Sequence, residues 1–183
     1  MAQAITLVPL LCPNCRAALP AQPDEVAWRC AQCGQGWQLS EADPAHEFGL
    51  APLAIYFDAH LDPRAPGRPF WVAEGRVAVQ REKYSGNQDR QAQEFWSTPR
   101  RFCVPAFTCP LETLISLGME LLREPPELRP GPPAPFTAVT LPRADVRDLA
   151  EFIVVGVEAE RKDQLKRLEA SLQLSEPELW ILP

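Results

Sequence analysis

Histidine is nearly missing from this 183-residue chain, which holds His46 and His60 and no others. Two imidazoles are too few for a dinuclear centre built on them, and no H-E-x-x-H pair is present. The common phosphate and nucleophile loops are missing too: there is no Walker sequence, no G-x-G-x-x-G and no G-x-S-x-G. No apolar run approaches the ~20 residues that a membrane-spanning helix needs. Lys and Arg are absent before Arg16, so the apolar start Met1 to Leu11 lacks the basic flank and small-residue cleavage site of a secretory signal. Leu10-Leu11-Cys12 likewise lacks the small residues that precede a lipidated cysteine. A cytoplasmic address is expected, and there cysteines remain thiols or bind metal.

What the chain does have is proline, 21 residues of it, about twice the average share. That excludes a long-helix bundle and points to turns, short strands and connectors. Hydrophobic residues make up 46%, too many for a disordered chain. Six cysteines are too sparse for a disulfide scaffold. The net charge of -6 is unevenly spread, because residues 64–101 hold eight Arg or Lys against four acids, between acidic flanks. Length and composition fit one ordinary domain with a small module attached.

Four of the six cysteines fall into a pattern. Cys12-Pro13-Asn14-Cys15 and Cys30-Ala31-Gln32-Cys33 make C-x2-C-x14-C-x2-C. Two residues between cysteines let a tight turn aim both sulfurs at one ion, and two such turns complete a tetrahedral S4 shell that suits Zn2+. The spacer carries Pro20 and Pro23, and Val26-Ala27-Trp28-Arg29 leads back as a strand. Gly34 suits a positive φ after the second turn. Trp28 and Trp37 offer apolar cover to a module too small for a core of its own. With all four positions taken by thiolate, the ion is expected to fold the module and do no chemistry.

Cys12, Cys15, Cys30 and Cys33, with the tail Cys33-Gly34-Gln35-Gly36-Trp37, resemble the zinc-ribbon group, whose members set paired cysteine knuckles on small β-hairpins. The resemblance covers about the first forty residues. It implies one structural Zn2+ and a role in protein or nucleic-acid contact. Iron of the rubredoxin kind is the alternative metal, although that group has glycine after both knuckles, whereas Arg16 follows the first here. The remainder, through Pro69-Phe70-Trp71 and Ala144 to Pro183, resembles uncharacterised bacterial zinc-ribbon proteins with a trailing α+β domain. That second resemblance implies no activity.

Periodicity supplies the rest of the architecture. Residues 1–45 are expected as the ribbon and 46–183 as an α+β domain, separated by the polar stretch Ser40-Glu41-Ala42-Asp43-Pro44. Leu53, Ile55 and Phe57 place one strand over 50–58. Two strands are expected in 69–82, broken near Glu74-Gly75, then a short helix around 88–96 and a strand at 101–104. The spacing predicts a helix over 110–123, with Thr108 as N-cap and Pro110 in its first turn. Six prolines in 124–135 mark a connector. A strand at 136–140, a helix over 143–162, a strand from 168 and its partner from 178 after a turn at 175–177 complete the order. This is an α+β fold with a mainly antiparallel sheet and two principal helices.

Three further clusters have a chemical and a structural reading. Asp58-Ala59-His60-Leu61-Asp62 is similar to the D-x-H start of metallophosphoesterases, but Gln88 stands where a later histidine is required, which leaves a polar strand end. Cys103 and Cys109 are wrongly spaced for a knuckle and are expected as buried free thiols, Cys109 being the better candidate for a reactive one. Arg64, Arg68, Arg76, Arg81, Lys83, Arg90, Arg100 and Arg101 interleave with Phe70, Trp71, Tyr84, Phe95 and Trp96, a mixture suited to base stacking and phosphate pairing. The same residues also suit a core of packed aromatics, with the arginines solvated or paired with the acidic C-terminal half. The expectation is a non-catalytic binding or scaffolding protein with a protein partner and no small-molecule substrate. The alternative is nucleic-acid binding through 64–101.

Overall fold

The computed structural model describes residues 10–40 and 49–183. The polar stretch after Ser40, together with His46 and the apolar start up to position 9, lies outside the described residues. Three short strands, β1 (Ala27–Arg29), β2 (Gly36–Ser40) and β3 (Gly49–Leu53), form an antiparallel sheet in that order. A second sheet contains β4 (Ile55–Phe57), β5 (Arg68–Ser85), β6 (Arg100–Pro105), β7 (Gln164–Leu174) and β8 (Glu178–Leu182). Its order is β4-β8-β5-β6, with β7 also paired to β5; β4 and β8 are parallel and the remaining pairs antiparallel. The helices are α1 (Asp89–Trp96), α2 (Leu111–Arg123) and α3 (Val146–Ala159). The fold is α+β with mainly antiparallel sheets, as the sequence predicts, and α1 adds a third helix.

Several strand assignments change once the pairing partners are known. The single strand expected over 50–58 is two strands in two sheets: Leu53 lies opposite Gly36 and Ile55 opposite Leu179, with Ala54 between. The expected break at Glu74-Gly75 does not occur. β5 runs through for 18 residues, and only its partners change there, from β6 and β8 to β7. Nor is β8 a hairpin return from β7. Both run antiparallel to β5, Leu174 opposite Gly75 and Glu178 opposite Val72, so Ser175-Glu176-Pro177 is an extra-residue bulge in one long run. Residues 136–140 form isolated bridges, Phe136 to Gly67 and Val139 to Ala27, and no strand. Thr108 does not cap α2; Pro110 takes that position, while the Thr108 N–H and hydroxyl meet the Thr140 hydroxyl at 2.7 and 2.9 Å.

Alternation along β5 separates two apolar layers. Trp71 and Val77 join Phe102, Val104, Leu114, Ile153 and Val154 in the main core. Phe70 and Val72 face the other way, with Cys103, Trp180 and Leu182. Helices α2 and α3 approach closely at two glycines. A Cβ on Gly118 would lie 2.2 Å from Ile153 Cδ1, and one on Gly156 would lie 2.6 Å from Ile115 Cγ2. The proline-rich connector lies along the outer edge of β4: Ala59 N–H donates to Arg129 O at 2.8 Å and Gly131 N–H to Phe57 O at 2.7 Å.

The ribbon is seated on the body. Val26 N–H donates to Val139 O at 2.8 Å, Ala27 is part of the main core, and the Arg29 guanidinium lies 5.8 Å from the Phe57 ring centroid.

A charged cluster joins β5 to two helices. Arg81 follows Val77 and Val79 on the inward face of β5, and its side chain is 4% exposed. Its Nη1 donates to Asp89 Oδ1 at 2.9 Å. Nε and Nη2 lie 2.8 Å from Glu158 Oε2 and 2.7 Å from Asp163 Oδ2, ion-pair distances without hydrogen-bond alignment. Glu158 Oε1 accepts from Trp96 Nε1 at 2.9 Å and Arg161 Nε at 2.8 Å. Lys83 bonds Asp89 and holds its carboxyl below the usual carboxylate range. Removing one member of such a cluster leaves buried charge uncompensated. Arg81→Met is therefore expected to lower the unfolding free energy by about 3–5 kcal/mol. Urea denaturation monitored by circular dichroism checks this, and an unchanged midpoint contradicts it.

Candidate metal centre

The ribbon contains two copies of one backbone turn. In the first, Arg16 N–H donates to Cys12 O and Cys12 N–H to Ala17 O, both at 2.8 Å. In the second, Gly34 N–H donates to Cys30 O at 2.9 Å and Cys30 N–H to Gln35 O at 2.8 Å. Each bond repeats at the same offset from its leading cysteine, so the turns present their sulfurs alike. The residue after each turn is left-handed, φ 64° at Arg16 and 77° at Gly34. Arg16 therefore adopts the geometry that glycine supplies in the second turn, at a cost of about 1 kcal/mol for an L-residue.

The turns bring all four sulfurs within 4.8 Å of one another. Cys12 Sγ lies 3.6 Å from Cys33 Sγ, and Cys15 Sγ 3.5 Å from Cys30 Sγ. A tetrahedron with metal–sulfur bonds of ~2.3 Å has edges of ~3.8 Å, close to these separations and far from a ~2.05 Å disulfide. Cys12 and Cys30 are buried, Cys15 is half-buried and Cys33 exposed. Leu19, Trp28 and Trp37 pack around the buried pair. Trp28 Nε1 donates to Glu25 at 2.9 Å, and Glu25 also accepts from Gln22 N–H, which fixes the chain entering β1.

The thiols are unequal before metal binds. The Gln35 N–H and then the Asn14 side chain pull Cys33 down to about 6. The Ala17 N–H works to lower Cys15, but burial and three neighbouring sulfurs outweigh it and push that thiol up to about 12. A cation entering the cluster displaces the remaining protons, so its affinity rises with pH. The four cysteines can hold a metal ion such as zinc in a closed shell, with every coordination position filled by the protein.

The other sequence candidates form no second centre. Asp58 is buried, and its carboxylate accepts from His60 N–H at 2.8 Å, from His60 Nδ1 at 2.8 Å and from Arg129 N–H at 3.3 Å. Burial acts to raise this carboxyl, but the His60 N–H, the His60 ring and the Arg129 N–H together hold it below its usual range. The pair therefore anchors the end of β4 to the connector. Cys103 is buried in the second apolar layer, and desolvation pushes it up to about 12. Cys109 is half-buried and raised by the same cause. Neither thiol has the low-pKa setting of a nucleophile.

Sequence reasoning missed the Arg81 cluster. The period-two pattern contained the signal, because Val77, Val79 and Arg81 share a face. What it could not supply was the identity of the acids, Glu158 and Asp163, which are more than seventy residues away. Among the described residues, no helix is long and apolar enough to cross a membrane. Fold and site together define a class: an α+β protein whose small three-stranded sheet carries four clustered cysteines able to hold a metal ion. No family model matches the chain, and no curated protein or solved structure matches it.

Two outcomes are expected. Cys30→Ser opens the shell and unfolds the ribbon, lowering bound metal to less than one equivalent; full metal content in that variant would refute the four-sulfur site. Asp58 contributes stability that is complete above its unfolded value, near pH 4, and is lost as pH falls through the lower folded value. Asp58→Asn should cost about 1–3 kcal/mol at neutral pH. Urea titrations at neutral pH and pH 3 should show that gap narrowing in acid, and a gap equal at both contradicts the account.

Proposed function

We propose that this chain is a non-catalytic binding or scaffolding protein, a subunit or adaptor, whose ribbon is folded by one structural Zn2+ on Cys12, Cys15, Cys30 and Cys33. The observation that carries the reading is the closed sulfur shell on a ribbon anchored to the body through Val26 and Val139. A metal with no open position offers no site for water or substrate, so its work is to hold a surface in shape. Zinc is preferred to iron because Arg16 stands where rubredoxin-type knuckles have glycine. A cytoplasmic address is part of the proposal, since four adjacent free thiols persist in a reducing compartment.

A protein partner is favoured over nucleic acid by the fate of segment 64–101. Phe70, Trp71 and Trp96 are buried, while Tyr84 is exposed. Arg81 is enclosed by acids, Lys83 meets Asp89, and Arg101 meets Glu74 and Pro126 O. Arg100 donates to Phe95 O, with its guanidinium 4.2 Å from the Phe95 ring centroid. Most of the stacking and phosphate-pairing groups are thereby engaged within the fold.

The test compares tagged wild type with Cys30→Ser by affinity capture from the native host. The expected result is a stoichiometric protein that survives a salt wash on the wild type and is lost from the variant. Recovery of nucleic acid that elutes with salt, without such a protein, would overturn the reading in favour of the alternative.

A further inference from the structure

The sheets manage their edges unevenly. The outer edge of β4 is met by the connector at Arg129 to Gly131, and β1 is met by Val139. β3 carries Pro52, and β6 is six residues long and ends at Pro105. Such devices stop a strand edge from recruiting another strand. β7 has none of them. It is 11 residues long and contains no proline. One side pairs with β5, and among the described residues no strand, bridge or backbone hydrogen bond meets the other. Its inward row is Leu168, Ala170 and Leu172, opposite Arg81, Val79 and Val77, and this row of β7 carries no charge to oppose a newcomer.

The side chains on this edge select an occupant. Arg167 and Glu169 flank Leu168 and pair with each other at 2.7 Å on the outward face. We propose that β7 pairs antiparallel with β7 of a second copy about a two-fold axis at Leu168, joining two main sheets into one. This register sets Arg167 opposite the partner subunit's Glu169, and Glu169 opposite the partner subunit's Arg167. Leu168 then meets the partner subunit's Leu168. Centring the axis on Arg167 or on Glu169 would put like charges face to face, which is unfavourable. The axis is perpendicular to the sheet, so α3, which packs on β7, covers the same face in both copies. The contact is isologous and closes at two subunits. It is independent of the proposed adaptor role.

Sedimentation velocity on the full metal-loaded chain, over micromolar to hundreds of micromolar, tests the proposal. Wild type should form a dimer that saturates at two. Arg167→Glu should weaken it about tenfold or more by opposing acids at both contacts. The double variant Arg167→Glu/Glu169→Arg should recover wild-type affinity, because the swap restores both pairs. Urea titration of each variant establishes that folding is retained. A wild-type chain that stays monomeric throughout overturns the proposal, as does a dimer indifferent to Arg167→Glu or one the double variant fails to restore.

Discussion

The distance that four sulfurs must keep from one another governs roughly the first quarter of the molecule. The ribbon's own buried apolar set is small, chiefly Leu19, Trp28 and Trp37 around Cys12 and Cys30. So small a core does not offset the entropy of ordering the chain. A metal ion held by the four cysteines would supply the difference, and only if both turns present their sulfurs in one geometry. The paired backbone bonds at Cys12 and Cys30 meet that requirement, and Arg16 tolerates a left-handed conformation to do so. From there the constraint passes along the chain. The second turn joins β1 to β2, β2 pairs with β3, and β3 leads within two residues into β4 of the main sheet.

The body is held by a different kind of interaction. Arg81 replaces a hydrophobic residue at an inward position and draws carboxylates from α1, α3 and the turn after α3. A buried ion cluster gains little net stability over apolar packing, but it tolerates few alternative arrangements. Here it fixes how α1 and the end of α3 sit on the long arm of β5. The basic segment that reads in sequence as a nucleic-acid surface is thus turned in part toward the protein's own acidic half.

How much of this was legible follows from the range of each interaction. The clustering of the four cysteines was legible, because each knuckle spans four residues and the pattern depends on spacing alone. α2 and α3 were legible because Leu111, Leu114, Ile115 and Leu122, or Val146, Leu149, Ile153 and Val157, lie on one face at helical spacing. Strand continuity was not. Glu74-Gly75 looks like a turn until β6, β8 and β7 are seen to exchange places along β5, and Ser175-Glu176-Pro177 looks like a hairpin until both flanking strands are found on the same partner. Asp58 and His60 form a pair, as their spacing permits. Its meaning changed when Arg129, seventy-one residues away, proved to complete the carboxylate's bonds.

The claim on which the rest stands is that Cys12, Cys15, Cys30 and Cys33 bind one metal ion through sulfur alone. Replacing the native metal with Co2+ tests it directly, because the visible bands of tetrahedral cobalt report both geometry and the number of thiolate ligands. The account predicts one equivalent per chain, with the intense d–d and sulfur-to-metal charge-transfer bands of an all-thiolate tetrahedral site, displaced by one equivalent of Zn2+. A weak octahedral spectrum, or a band pattern showing nitrogen or oxygen donors, would contradict it.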